Sequence, residues 1–125
     1  MMKRTTGFTL IELIAVILIL GILAVTAAPQ FLDLSASART AAVAGVAGSL
    51  GSASSMNYAR RSLSATDGVA VANCTAVANA LAGGATAMPT GYAITAAPVV
   101  AGGSTVCTLV GPSAVTASFV ALGIL

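Results

Sequence analysis

Residues 3–28 read KRTTGFTLIELIAVILILGILAVTAA, a short basic start followed by one long apolar run. Glu12 is the only charged residue of that run. Positions 8–28 amount to 21 residues. As an α-helix they measure roughly 31 Å, which is enough to cross the hydrocarbon core of a bilayer. The stretch therefore predicts a membrane-spanning helix, and Lys3 and Arg4 predict that its N-terminal end stays on the cytoplasmic side.

The carboxylate of Glu12 needs a partner in such a helix. A lone charge in lipid costs about 2.5–3.5 kcal/mol on insertion scales. The nearest candidate partner is an N-terminal amine, which exists only if the chain is cut between Gly7 and Phe8. Glu12 then lies four residues beyond the new amine. A cut at this point would therefore give the carboxylate a candidate partner.

Two other interpretations of this segment compete. A conventional secretory signal would be cut after Ala28, at the end of the small residues VTAA at positions 25–28. The position of Glu12 inside the apolar run and of Pro29 directly after that cut both oppose it. A plain single-pass anchor is the other alternative, and it leaves Glu12 unexplained.

The stretch KRTTGFTLIE at residues 3–12 resembles the class III signal peptide of type IV pilins. The resemblance implies cleavage between Gly7 and Phe8 by prepilin peptidase and N-methylation of the new Phe8 amine. It also implies that the helix first anchors the subunit in the inner membrane. Inner-membrane assembly machinery then packs it into the core of a helical homopolymer of this chain. Glu12 would pair with the Phe8 amine of a neighbouring subunit and set its register.

Gly21 and Pro29 lie within the predicted helix and are of the two residue types that favour helical structure least. A proline in a helix interior removes a hydrogen bond and costs about 3 kcal/mol, so a kink or a locally unwound stretch is expected near Pro29. In the pilin family, the segment between such a glycine and such a proline can lose its helicity in the assembled filament. The resemblance thus marks both residues as a helix break.

Charge is scarce along the whole chain. Hydrophobic residues make up 58% of it and charged residues 6%, against roughly 25% charged in ordinary globular proteins. A chain of this composition needs a membrane, or many copies of itself, to cover its surface. Without residues 1–7 the charges cancel, with three basic and three acidic side chains: Arg39, Arg60, Arg61, Glu12, Asp33 and Asp67. The basic pI therefore gives no support to nucleic-acid binding, and adjacent arginines at a helix end favour dipole compensation over DNA contact.

Cys74 and Cys107 are the only cysteines. An even number in an exported protein predicts a disulfide, with a pair of free buried thiols as the alternative. A loop of this length contributes roughly 3–4 kcal/mol in the chain-entropy model.

Beyond Pro29 the helix is expected to resume and continue to about Arg61. One stripe on it has helical spacing and suits a covering sheet: Val43, Val46, Leu50 and Ala53. Arg39 projects toward the same side, so the stripe begins after it. The opposite face carries small residues: Ala41, Ala44, Gly45, Gly48 and Gly51. They either suit close helix–helix approach in a filament or reflect the Ala/Gly-rich composition.

The remaining residues predict a small sheet. Residues 62–68 predict the helix exit and a turn, and Cys74, Val77 and Leu81 predict one short helix. Strands are predicted at 92–97, 105–110 and 115–122, with Cys107 on the middle strand. The last strand alternates, with one face formed by Val115, Ala117, Phe119 and Ala121.

The predicted fold class is α+β, with a long N-terminal helix, kinked near Pro29, packed against a small antiparallel sheet. This architecture is similar to that of type IVa pilins, although the motif itself ends at Pro29. The predicted organisation is a leader at 1–7, a membrane and filament-core helix at 8–28, a second helical half at 29–61, and a loop and sheet at 62–125.

Few residues of the chain are of the types that act in catalysis or metal binding. The chain has no histidine, which excludes Cys–His catalysis and His-based metal sites. Its only lysine, Lys3, lies in the leader, so Ser–Lys chemistry fails as well. A calcium site requires about 6–8 oxygen ligands, including carboxylates, and Asp67 is the only acidic residue in the loops. The sequence therefore predicts no enzyme and no cofactor, and it counts against the major pseudopilin of type II secretion, whose family typically carries a calcium loop.

These observations predict the structural subunit of an extracellular type IV pilus. The precursor is expected in the bacterial inner membrane and the assembled subunit in the filament outside. One alternative is a pseudopilin, which shares the helix and the processing but forms a short periplasmic piston. Another is a membrane-anchored monomeric periplasmic binding module, which requires no pairing of Glu12. Adhesion, motility, DNA uptake and electron transfer are not distinguished by the sequence.

Overall fold

The computed structural model of the protein describes residues 7–125, without the side chains of Leu32 and Asp33. The leader residues Lys3 and Arg4 lie outside the described residues. The main elements are one long helix and three strands: α1 Leu10–Leu63, β1 Ala93–Ile94, β2 Ser104–Val110 and β3 Thr116–Leu122. Short 3₁₀ helices lie at Cys74–Ala80, Gly84–Ala87 and Pro112–Ala114. The predicted α+β class is confirmed.

The long helix continues through Gly21 and Pro29. The sequence predicted either a kink or a locally unwound stretch near Pro29; the unwound stretch is absent from the single subunit, and the kink stays a prediction. A proline removes only one helical hydrogen bond, and the turns on either side keep theirs. The hydroxyl of Thr26 donates to the carbonyl of Leu23 at 3.0 Å and adds a bond in the turn before the proline. The helix break at Gly21 and Pro29 in an assembled filament stays an expectation from the resemblance.

The chain divides into two compact units, one up to Ser37 and one from Ala38 to Leu125. The second unit has its own core, in which the second half of α1 packs on one face of the sheet. Residues from the helix, the loop and the strands form one buried cluster: Val43, Ala47, Leu50, Val71, Cys74, Val77, Val99, Cys107, Leu109, Phe119 and Ala121. The α1 stripe and the alternation of β3 are thus confirmed as the two sides of this core.

Two details of the helix surface differ from expectation. Ala47 is 2% exposed and belongs to the stripe, because it lies one turn from both Val43 and Leu50. Gly51 is half-buried, and a Cβ atom there would lie 4.0 Å from the Cβ of Phe119. Gly51 therefore borders the sheet and does not share the open face of Gly45 and Gly48, where an added Cβ meets nothing within 4 Å.

The sheet is antiparallel with strand order β1-β2-β3. The second and third strands agree with the prediction to within one residue. The first is only two residues long, whereas six were predicted at 92–97. The reason is that the chain leaves the sheet early: the Ala97 carbonyl accepts a hydrogen bond from the Cys74 amide at 2.9 Å, and Pro98 bridges to Asn73.

The short helix predicted after Cys74 is present as a 3₁₀ helix, Cys74–Ala80. Cys74 and Val77 are both buried, and the three-residue spacing between them is the one that a 3₁₀ helix aligns. The Oδ1 atom of Asn73 caps it by accepting from the Thr75 amide at 3.1 Å. The turn at Gly84–Ala87 was not predicted.

A buried asparagine ties the helix exit to the loop that follows. Asn57 is 4% exposed. Its amide donates to the Val69 carbonyl at 2.8 Å and its Oδ1 accepts from the Val69 amide at 2.7 Å. Gly68 makes this approach possible, because its φ is +79° and a Cβ there would collide with the same Oδ1 atom. The predicted turn after α1 is therefore fixed by side-chain bonding as well as by its glycine.

The predicted disulfide joins Cys74 to Cys107. Their Cα atoms are 5.7 Å apart and the cysteines are separated by 33 residues. Both are buried, at 0% and 1% exposure. The bond tethers the first 3₁₀ helix to the middle strand, as the sequence analysis expected.

Replacing both cysteines by serine should lower the free energy of unfolding by about 3–4 kcal/mol, because the opened loop regains conformational entropy when the chain unfolds. The measurement is denaturant unfolding of the detergent-solubilised chain. Wild-type protein that has been fully reduced is the matched control and should unfold at nearly the same denaturant concentration as the double variant. Equal midpoints for the double variant and the oxidised wild type would contradict the prediction.

The turn between β2 and β3 carries two left-handed residues that are not glycine. Ser113 and Ala114 have φ angles of 60° and 58°, and the Val115 amide bonds back to the Pro112 carbonyl at 3.5 Å. Tight hairpin turns of this geometry prefer Asn-Gly, because an L-residue in the left-handed region is strained. Arg39 supports the turn by donating from its guanidinium to the Ser113 hydroxyl at 3.1 Å, which confirms that Arg39 faces the sheet side.

Replacing Ala114 by glycine should raise the free energy of unfolding by about 1 kcal/mol, because relief of the left-handed strain exceeds the entropy cost of glycine. Ala41→Gly is the matched control: it lies on an exposed face of α1 and should lower stability by about the same amount. Thermal unfolding followed by circular dichroism compares the two. A destabilised Ala114→Gly variant would show that this turn carries no strain.

Candidate functional site

The N-terminus of α1 forms a reciprocal capping arrangement. Thr9 directly precedes the helix, and Glu12 is its third residue. One carboxylate oxygen of Glu12, Oε2, accepts from the Thr9 amide at 2.9 Å and from the Thr9 hydroxyl at 2.7 Å. The Glu12 amide in turn donates to the Thr9 hydroxyl oxygen at 3.4 Å. This is a capping box, in which each end residue satisfies a backbone donor of the other.

The sequence analysis missed this role of Glu12. The signal was available, because Thr9-x-x-Glu12 has the spacing of a capping box. The carboxylate therefore has hydrogen-bond donors within its own chain, before any leader is removed. Its negative charge is still uncompensated by any cation in this contact. Phe8 immediately precedes Thr9, so an amine created at Phe8 would start one residue from the group that already bonds Glu12.

The first unit presents an apolar surface on every side. Its large side chains are exposed, from Phe8 at 87% to Ile14 at 43%. By length and composition α1 contains a stretch able to cross a membrane, with a mean hydropathy of 2.8 over its most apolar window and none of that window buried. A continuous apolar surface of this size requires lipid or other helices around it. Gly21 and Pro29 lie within this helix.

A groove of about 520 Å³ lies in the second unit, between α1 and the loop that follows it. Arg60 is the only charged side chain among its lining residues. The hydroxyls of Ser49 and Ser52, which also line it, already donate to helix carbonyls at 2.7 and 3.0 Å. Asn57 is engaged with Val69. Of the polar side chains that line the groove, Ser49, Ser52 and Asn57 are thus already hydrogen-bonded within the chain, and Arg60 and Asn79 line it as well.

Among residues 7–125, no group of three or more potential metal-ligating side chains comes together. The two cysteines that could have contributed are joined in the disulfide. The structure places the predicted site residues in three places: Gly7, Phe8 and Glu12 at the start of α1, Gly21 and Pro29 within α1, and the cysteine pair in the core of the second unit.

Residues 2–28 match the family described as the prokaryotic N-terminal methylation motif. The match covers the basic leader, the residues around Phe8 and the apolar half of the helix, and it ends before Pro29. No curated protein and no solved structure matches the chain. The comparison with known proteins thus concerns the N-terminal segment alone.

The chain carries a class III prepilin signal peptide and is type IV pilin-like in this segment. The motif indicates a type IV pilin-like or pseudopilin precursor and points to a structural subunit. Processing by prepilin peptidase and assembly through a pilus or secretion system follow from the motif. The motif and the apolar helix together fit a single-pass precursor in the inner membrane.

The mature chain should begin at Phe8 with a methylated amine, because the apolar helix has to remain after the leader is removed. Intact-mass spectrometry of the protein extracted from membranes measures this directly. Replacing Gly7 by a bulky residue such as Ile is the matched variant and should leave the full precursor mass. A mature terminus near Ala28 would instead indicate an ordinary secretory signal and would overturn the assignment of the cleavage site.

Proposed function

We propose that the protein is the repeating structural subunit of an extracellular type IV pilus. The observation that supports this most strongly is the stretch 8–28 of the first unit: an apolar helix that is exposed on all sides, contains one carboxylate and forms part of a methylation motif. A helix of this kind has to exchange lipid for other helices when the subunit leaves the membrane. A homopolymer with a helical core provides such surroundings for every copy.

Apolar burial supplies the cohesion of this proposed filament. Fully burying one large aliphatic side chain contributes about 1.5–3 kcal/mol, and the first unit has more than a dozen such side chains exposed. Apolar packing is not directional, so it fixes poorly how far one helix is shifted along the next. A single buried charge pair costs more to misplace, because an unpaired charge in a low-dielectric interior is strongly unfavourable. We assign that register function to Glu12 and the Phe8 amine of a neighbouring subunit.

The proposed function assigns a role to each segment of the chain. Residues 1–7 are removed, residues 8–28 span the membrane and then form the filament core, residues 29–61 continue the helix, and residues 62–125 form the loop and sheet. The compact second unit is held by the disulfide and by the buried core described above. Its stability outside the cell does not depend on the membrane, which suits a surface-exposed part of a fibre.

A pseudopilin would share the motif, the processing and the helix, so the location of the assembled protein separates the two. Long fibres outside the cell favour the pilin, and short assemblies confined to the periplasm favour the pseudopilin. Shearing intact cells and analysing the released material by mass spectrometry distinguishes them. The mature mass of this chain in sheared fibres supports the proposal.

Replacing Glu12 by alanine should abolish most filaments while the variant is still processed at Gly7 and retained in the membrane, because a charge-free helix partitions well into lipid. Glu12→Asp, shorter by one methylene, should assemble partially. Immunoblotting of the shear fraction beside the membrane pool measures both steps. Abundant filaments from Glu12→Ala would show that apolar packing alone sets the register.

Glu12→Gln separates the two roles of this side chain. Glutamine still completes a capping box with Thr9 but carries no charge. If pairing with the Phe8 amine drives assembly, Glu12→Gln should fail as Glu12→Ala does. If Glu12→Gln assembles at the wild-type level, the carboxylate acts only as a helix cap. A Thr9→Val variant, which removes the hydroxyl and keeps the charge, should assemble better than either.

A further inference from the structure

One edge of the sheet is open. Within the described residues, β3 pairs only with β2. Leu122 lies opposite Ser104, and its amide donates away from β2, to the Ser54 hydroxyl at 2.8 Å. Because backbone groups alternate along a strand, the amides and carbonyls of Thr116, Ser118 and Val120 also point away from β2. They form a row of backbone groups on the open edge.

The hydrogen bonding of β2 supports this assignment. Thr108, which lies opposite Ser118, accepts from the Thr95 amide at 2.9 Å on its other side. Thr108 and Ser118 therefore face each other as a pair without mutual backbone bonds. The Ser118 backbone is directed to the open edge.

The open edge lacks the features that normally prevent strands from pairing with other molecules. Natural edges are protected by charged side chains, prolines, bulges or very short strands. β3 reads TASFVAL over seven residues and contains no charge and no proline. Thr116, Ser118 and Val120 are all exposed. β1, at the opposite edge, is two residues long and therefore has far fewer backbone groups available for pairing with another strand.

We propose that β3 pairs in antiparallel fashion with β3 of a second copy of this chain, centred on Ser118. In that register Ser118 lies opposite Ser118 of the other copy, and Thr116 lies opposite Val120 of the other copy. The outward amides and carbonyls of one strand then face the outward carbonyls and amides of the other. About six hydrogen bonds form across such a pair. An uncharged edge suits pairing with itself, because no like charges are brought together.

The contacts of α1 fix the relative direction of the two copies. Arg39 bonds to Ser113 before β3 begins, and Ser54 bonds to Leu122 at its end. This part of α1 therefore runs in the same direction as β3. Antiparallel β3 strands then place the two α1 segments, residues 39–54 of each copy, antiparallel.

Single-cysteine crosslinking tests this pairing on the full-length chain purified in detergent, where copies are free to meet in either direction. Cys74 and Cys107 are both in the disulfide and no free cysteine remains among the described residues. In the proposed register, Ser118→Cys places two Cα atoms roughly 5.5 Å apart, within disulfide range. Thr108→Cys is the control on the same exposed face: two β2 strands would be separated by roughly 14 Å.

Mild oxidation should give several-fold more disulfide-linked dimer from Ser118→Cys than from Thr108→Cys. Adding Val120→Pro to Ser118→Cys should reduce the dimer to the control level, because it removes an outward amide that β2 does not use. Equal dimer yields from Ser118→Cys and Thr108→Cys would overturn the pairing. So would an undiminished yield in the Val120→Pro background. Because the sample is not a filament, these outcomes are independent of whether the chain forms a pilus.

Discussion

The structure depends on a helix whose first half is apolar on all sides. No part of the most apolar window is buried within the chain, so this helix has to be covered by something else. Lipid and the helices of other subunits are the two environments that satisfy it, since both accept apolar side chains and leave the backbone bonds inside the helix intact. In the proposed function, anchoring and polymerisation are thus two solutions to one physical problem.

Glu12 bonds to Thr9 in the single chain, and we propose a second partner for it in the filament. In the single chain it closes a capping box with Thr9, which supplies two hydrogen bonds at 2.9 and 2.7 Å. This contact gives the carboxylate donors while the helix is alone in the membrane, but it leaves the charge uncompensated. A neighbouring Phe8 amine would supply the missing charge. The capping box therefore complements the proposed register role, and it explains how a precursor tolerates an unpaired carboxylate near its helix start.

The second unit is stabilised by a few specific ties around a small core. The disulfide holds the 3₁₀ helix on β2, Asn57 holds the helix exit, and Ser54 holds the end of β3. Charged residues take almost no part in these ties. The same scarcity of charge leaves β3 with an unprotected edge, which is where the unit is open to a second copy.

The sequence by itself determined the elements whose signals are local. The apolar run and the helical stripe led to a correct long helix, and alternation led to β3 within one residue. The spacing of Thr9 and Glu12 is also that of a capping box, although the sequence analysis did not identify it. Only the tertiary structure decided what depends on distant partners. β1 is short because Ala97 and Pro98 bond to the loop near Cys74. Gly51 borders the sheet because Phe119 lies beside it, and the left-handed turn at Ser113 is supported by Arg39, 74 residues away. Hydrophobic periodicity records which face of an element is buried, but it carries no information on which distant group will satisfy a given backbone amide.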